Sequence, residues 1–225
     1  EVTDLDDHDV LFARSSNEAR LPEVSTSDPA QIQYTSGTTG FPKAALLSHR
    51  GLLNNARFYA DRCGVTEHSI WINIMQMFHT SGCGMVTLGA MQAGAHMVLV
   101  SLFDAPRIVD LLESEKADVV LGVPTMVVAL LEEQELTPRD TTALRVISCG
   151  GANVAADLVR RVKKAFGCGF STLYGQTEHC PVITQHHLDD SIDDICKTIG
   201  QPIPQTDVSI RRLTDNSCAD LNEPG

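Results

Sequence analysis

Short apolar, β-branched runs alternate with segments of helical periodicity along most of this chain, and no other feature narrows its fold as much. Strands are expected around Ile32 and Tyr34 and over 44–47, 69–75, 96–100, 118–122, 144–148 and 170–174. Helices are expected between them. Ser48 can cap one over 49–63, with Leu52, Leu53, Ala56 and Tyr59 on one face. Residues 81–93 carry a small-residue helical pattern that ends at Gly94. Asp104 can cap the next helix, with Pro106 in its first turn and Ile108, Val109, Leu111 and Leu112 facing inward. Pro124 opens another, to about 134. The last covers 153–166, with Val154, Leu158, Val162 and Phe166 in one stripe. Its cations, Arg160, Arg161, Lys163 and Lys164, lie in the C-terminal half, which suits the helix dipole.

Such alternation predicts an α/β fold: a mostly parallel sheet flanked by helices on both faces. Ligands of such sheets bind outside the carboxyl ends of the strands. The glycine-bearing stretches at 37–40, 150–151 and 175 each follow an expected strand, so all three should face one crevice. Three regions are expected. Residues 1–29, with Asp4, Asp6, Asp7 and Asp9 and with Pro22 and Pro29, read as an acidic lead-in or linker. Residues 30–190 read as the main α/β unit. Residues 191–225 read as the start of a small β-rich subdomain, cut short, with strand pieces at 197–199 and 207–211.

Composition excludes several functions. Of the 225 residues 43% are hydrophobic, enough for a sizeable core. The formal net charge is −12 with no basic stripe, which argues against nucleic acid as a partner and against an anionic membrane surface. An anionic ligand would need local groups to hold it against that field. The seven cysteines form no CxxC pair and read as small apolar residues of a reducing, cytoplasmic protein. No apolar run is long enough for a transmembrane segment. The chain starts at Glu1 and stops at Gly225 without a closing element, so it reads as a piece of a longer protein.

Residues 34–49, YTSGTTGFPKAALLSH, concentrate glycines, hydroxyls and one lysine. Glycine lets the backbone approach a ligand and turn its N–H groups toward it. Thr35, Ser36, Thr38 and Thr39 add hydroxyl donors, and Lys43 adds a full charge. Together they make a cradle for phosphate oxygens. It is not a Walker loop, because Gly40 is followed by Phe41, Pro42 and then Lys43. A merely flexible turn would not need so many donors.

This stretch resembles the phosphate-loop signature of the adenylate-forming superfamily, which includes acyl- and aryl-CoA synthetases, luciferases and peptide-synthetase adenylation domains. Other stretches match in the same order. MFHTSG at 77–82 is similar to the acyl-site histidine motif, SCGGANV at 148–154 to the adenine loop, and STLYGQTEH at 171–179 to the Tyr-Gly-x-Thr-Glu motif. TIGQPIPQTDVSI at 198–210 resembles the strand entry that follows. The likeness runs from about Asp28 to the end, and it is strongest to fatty-acyl and other acyl-CoA synthetases.

The resemblance implies ATP-dependent activation of a carboxylic acid to an acyl-adenylate with loss of pyrophosphate, then transfer to CoA. Thr35, Lys43 and the loop Ser36, Gly37, Thr38, Thr39 and Gly40 would hold the β- and γ-phosphates. Thr177 would touch the α-phosphate, and Glu178 would ligate Mg²⁺. Gly150, Gly151 and Ala152 would admit the purine, although they could equally be a tight strand-to-helix turn. Tyr174 would stack on adenine, unless it is a half-buried core residue. Gly175 and Gln176 complete the nucleotide side. His79 would position the carboxylate or gate the acyl tunnel. As histidine rather than aspartate, it argues against an α-amino acid substrate. Ala44, Gln76-Met77 and Asn153 depart from the usual Gly, Pro-Leu and Pro, and none removes a charged participant.

The family's ribose-binding Asp and its mobile C-terminal domain would lie beyond residue 225, and the first part of the large domain would lie before residue 1. The fragment alone is therefore expected to be inactive. Three rivals stand beside this reading: a non-catalytic nucleotide-binding relative, an adenylating enzyme with another acceptor, and a Cys149–His79 acyl hydrolase. His186 and His187 with Asp189, Asp190, Asp193 and Asp194 could suggest a metal site but read as a solvated acidic loop.

Overall fold

The structure, a computed structural model, describes residues 22–35 and 41–224. A two-stranded antiparallel hairpin comes first, β1 (Pro29–Thr35) and β2 (Lys43–Ser48). Helix α1 (His49–Arg62) follows directly, and the Ser48 hydroxyl accepts from the Gly51 N–H at 3.1 Å as its cap. The remaining strands build one seven-stranded sheet: β3 (Ile70–Asn73), β4 (His96–Leu99), β5 (Val119–Gly122), β6 (Val146–Gly150), β7 (Gly169–Gly175), β8 (Val182–Gln185) and β9 (Gln201–Pro202). Its order is β4-β3-β5-β6-β7-β8-β9. The first five strands are mutually parallel, and β8 and β9 add on antiparallel.

Helices cover both faces because side chains alternate along each strand. Ile72, Val120, Ile147 and Phe170 point to one side. There they meet α3 (Ala105–Ser114), α4 (Pro124–Leu136), α5 (Ala156–Phe166) and α6 (Ile192–Lys197). Trp71, Val119, Leu121 and Val146 point to the other side and meet Tyr59 of α1, Cys63 just after it, and Met85 and Val86 of a π-helix (Ser81–Leu88). That helix continues as α2 (Gly89–Ala93), which stops at left-handed Gly94. β5 and β6 are buried along their whole length, as a strand covered on both faces must be. Each fully buried Leu, Ile, Val or Phe contributes roughly 1.5–3 kcal/mol by leaving water.

Several expectations need correction. Leu53 is exposed, because the residues three, four and seven beyond Leu52, namely Asn55, Ala56 and Tyr59, share the buried face with it. Helix α5 begins at Ala156, later than 153, and buries Val159, Val162 and Phe166. Leu158 is only half-buried. The expected strands at 197–199 and 207–211 are absent; among the described residues the late segment holds β9 and one isolated bridge, Arg211 to Cys218. The supposed acidic loop contains helix α6. The Ser191 hydroxyl accepts from the Asp194 N–H, and Asp193 and Asp194 favour the first turn of that helix. His186 is not solvated either. It is buried between the Thr172 and Thr198 hydroxyls, at 2.7 and 2.8 Å. At the start, residues 26 and 28 accept hydrogen bonds from Arg50 and His49, so this part of the expected lead-in is tied to α1.

Candidate active site

Five strands run parallel, so their carboxyl ends share one edge of the sheet, and a cavity of about 450 Å³ opens there. The hairpin brings Thr35 and Lys43 to it as register partners, one on each side of residues 36–40. Those five residues, Ser36, Gly37, Thr38, Thr39 and Gly40, lie outside the described residues, so the phosphate-loop expectation is tested only at its two ends. The Gln33 side chain donates to the Phe78 carbonyl at 2.9 Å, fixing the hairpin against the segment that carries His79.

His79, Gly150, Gly151, Gly175, Gln176, Thr177 and Glu178 line the same cavity as Lys43. Two positions here require glycine. Gly151 has φ of 88°, a left-handed conformation that turns β6 toward α5, so the tight-turn reading of this pair holds. At Gly175 a Cβ would lie 1.9 Å from the Pro181 carbonyl oxygen, because β7 and the start of β8 pass each other there. That closeness lets Gln176 N–H donate to the same carbonyl at 2.8 Å and throws residues 177–179 into a 3₁₀ turn. Buried Asn55 of α1 holds the turn from behind. It accepts from Val182 N–H at 2.9 Å and donates to the carbonyls of Val182 and His179. Glu178 is thereby presented at the cavity by an anchored backbone.

Lys43 and Glu178 are both exposed, and among the described residues neither makes an ion pair. Ala152 and Tyr174 lie elsewhere, in an adjoining cavity of about 290 Å³ that shares Gly151, Leu173 and Gly175 with the first. Tyr174 is 47% exposed and belongs to none of the buried core clusters. The rest of the main cavity wall was not legible beforehand: Met75, Ser81, Met85, Leu121, Val123 and Leu173. The available signal was position, since all but Met85, which lies within the π-helix, sit near the end of a strand or open that helix. Cys149 is fully buried, and burial pushes its thiol up to about 12. It does not line the cavity and holds no thiolate at neutral pH, which removes the acyl-hydrolase rival.

A doubly covered parallel sheet with an exposed cation and an exposed carboxylate at the carboxyl edge defines a ligand-binding α/β protein. Comparison with known sequences then fixes the family. Residues 2–225 match the profile of the AMP-binding enzymes, and the chain belongs to that family, whose acyl-CoA synthetase-like members form adenylates. YngI of Bacillus subtilis is 35% identical over 210 residues, 91% of this chain and 38% of YngI. The human mitochondrial medium-chain acyl-CoA ligase ACSF2 is 28% identical over 208 residues, 90% of this chain and 34% of ACSF2. Among solved structures, the Bacillus subtilis O-succinylbenzoate CoA synthetase MenE, in complex with ATP and magnesium ion, superposes with a TM-score of 0.82 at 26% identity. That match covers 96% of this chain and 43% of MenE. The chain thus spans well under half the length of these relatives.

Proposed function

We propose that the whole protein joins a carboxylic acid to the α-phosphate of ATP, releases pyrophosphate, and passes the acyl group to CoA. The observation that carries this reading is the meeting of Lys43, Thr177, Glu178 and His79 in one cavity at the carboxyl edge of the sheet. The first step brings an anionic carboxylate to an anionic phosphate, so charge must be neutralised and the attack aligned. Lys43, with Thr35 and the loop 36–40, neutralises the β- and γ-phosphates that leave. Thr177 donates to the α-phosphate as negative charge shifts onto its oxygens. Gly150, Gly151, Ala152, Tyr174, Gly175 and Gln176 take the adenosine side, with the exposed Tyr174 ring offered to the purine. His79 orients the acid against the α-phosphate.

The donor set fits magnesium. Mg²⁺ takes one or two carboxylates and completes its shell with phosphate oxygens and water, and Glu178 is an exposed carboxylate beside Thr177 in the cavity. When bound, the ion supplies Lewis-acid neutralisation of the phosphates. Among the described residues no helix is long and apolar enough to cross a membrane, and the seven unpaired thiols suit a reducing compartment, the cytoplasm in our reading. The acid-facing wall of Met75, Met85, Leu121, Val123 and Leu173 is apolar. The chain covers 38% of YngI and 43% of MenE, so the 225-residue piece alone is expected to turn over little or nothing.

The test is ATP–pyrophosphate exchange by full-length protein with acetate, octanoate, palmitate, benzoate and carnitine, followed by thioester assay with CoA. Acid-dependent exchange with thioester formation supports the proposal. Exchange without thioester would assign another acceptor. No exchange with any acid would contradict it.

A further inference from the structure

We infer that Ser81 is a positioning residue: it fixes His79 in the tautomer that carries its proton on Nε2, so that the ring offers a hydrogen-bond donor to the cavity. The inference deepens the acid-activation reading above and rests on it for its functional meaning. Its structural part stands on the local geometry alone.

The Ser81 backbone N–H points at His79 Nδ1 at 3.1 Å. A backbone N–H can only donate, so Nδ1 must accept. The Ser81 hydroxyl lies 2.8 Å from the same nitrogen. Since Nδ1 then has no proton to give, the hydroxyl also donates to it. A neutral imidazole has one protonated and one bare nitrogen, so the proton sits on Nε2. Both determinants of the ring's tautomer therefore come from one residue two positions along the chain.

The surrounding backbone makes this geometry stiff. His79 N–H donates to the Gln76 carbonyl at 3.0 Å, and the His79 carbonyl accepts from Gly82 and Cys83 N–H at 3.0 and 3.1 Å. Ser81 is the first residue of the π-helix and is buried in the cavity wall, whereas His79 stands exposed at the same cavity. π-Helical segments are rare in proteins and are frequent at functional sites. Here fully buried Asn73 donates to the Gly82 carbonyl at 3.3 Å, and the Thr87 hydroxyl donates to the same oxygen at 2.8 Å. The π segment is thus tied to β3 at its opening turn, next to Ser81.

The consequence is chemical. An ionised carboxylate only accepts hydrogen bonds. An Nε2–H ring can hold such a group, while the opposite tautomer would face it with a lone pair. His79 then acts by orienting the acid and not by abstracting a proton from it. Ser81 does not touch the acid in this account. It acts through His79.

Two measurements test this. In full-length protein labelled with ¹⁵N-histidine, the His79 signals are assigned by their loss in His79→Gln. The expected spectrum has a protonated Nε2 and a bare Nδ1, and a protonated Nδ1 would overturn the inference. The second measurement is ATP–pyrophosphate exchange with the fastest acid among acetate, octanoate, palmitate, benzoate and carnitine. Ser81→Ala keeps the backbone donor, and with it the tautomer, but removes the hydroxyl that steadies the ring, so it is expected to lower kcat/KM for the acid about fivefold, with KM for ATP unchanged. In the His79→Ala background the same change should cost less than about twofold, because the two residues act as one unit. Equal losses in both backgrounds would show a merely structural serine and sink the proposal. An Nε2–H ring in a protein that exchanges with no acid would uphold the tautomer and contradict the acid-activation reading alone.

Discussion

The two ends of the parallel strands treat charge in opposite ways. At the amino ends, Asp118 before β5 and Arg145 before β6 are locked together. Arg145 donates from Nε and Nη2 to Asp118 Oδ2 at 2.9 and 2.7 Å, and again from Nη2 to the Gly64 carbonyl at 2.9 Å. The other Asp118 oxygen accepts from Ile70 N–H at 2.7 Å. The pair joins the turn after α1 to β3, β5 and β6. At the carboxyl ends, Lys43 and Glu178 stand exposed on one cavity with no ion-pair partner among the described residues. A cation and a carboxylate held near each other by rigid backbone, yet not spent on the fold, are free to meet a ligand. The difference separates charges spent on the fold from charges left exposed at the cavity.

The largest expected effect is at the free end. Lys43→Ala should lower ATP–pyrophosphate exchange of the full-length protein by about 10²–10³-fold, the usual cost of removing one preorganised charge partner from a developing anion. Its melting temperature should move by less than about 1 °C, because surface changes away from packing are near neutral. A large loss of stability would break the contrast between the two ends. Glu178→Gln should lower exchange by about 10–100-fold and raise the Mg²⁺ concentration needed for half-maximal rate.

At the locked end the pattern should invert. Arg145→Ala leaves the mostly buried Asp118 without its partner and should cost about 1–3 kcal/mol of stability, read by denaturant titration. Exchange per folded molecule should stay within about twofold. A selective loss of exchange would show that the amino ends are not merely structural.

The smallest effect concerns Cys149, which stands next to Gly150 of the cavity wall yet belongs to the core. Burial holds its thiol near 12, whereas an unfolded thiol ionises at about 8.5. The folded state therefore keeps a proton that the unfolded chain releases. This stability is whole below about pH 8.5 and is lost as pH rises toward 12, by at most about 1.4 kcal/mol per pH unit. Cys149→Ala should flatten that alkaline limb of the stability curve while exchange persists. Loss of exchange would return Cys149 to the site.

The parallel sheet was legible because strand runs and helix runs alternate with different periods, and because Ser48 and Asp104 mark helix starts by a hydrogen bond that needs no tertiary context. That Lys43, Thr177 and Glu178 meet at one cavity was legible for the same local reason: each sits in a dense motif beside an expected strand. What stayed hidden depends on partners far along the chain. β8 pairs with β7 in a reversed direction that no local period announces. His186 reads as a solvated residue until Thr172 and Thr198 enclose it. Asn55 looks like an ordinary polar helix residue until the backbone at 179 and 182 closes on it, 124 and 127 positions away. Asp193 and Asp194 read as loop acid, although Ser191 and the first-turn preference for negative charge make them a helix start.

Crystals of the full-length protein grown with ATP, with Mn²⁺ in place of Mg²⁺, test the assignment of Lys43 and Glu178 most directly. The account predicts an anomalous peak at coordination distance from the Glu178 carboxylate, roughly 2.0–2.2 Å, bridged to phosphate oxygens that also lie within hydrogen-bonding reach of Lys43 Nζ. A metal and triphosphate bound on another face, with Lys43 and Glu178 left in solvent, would contradict it.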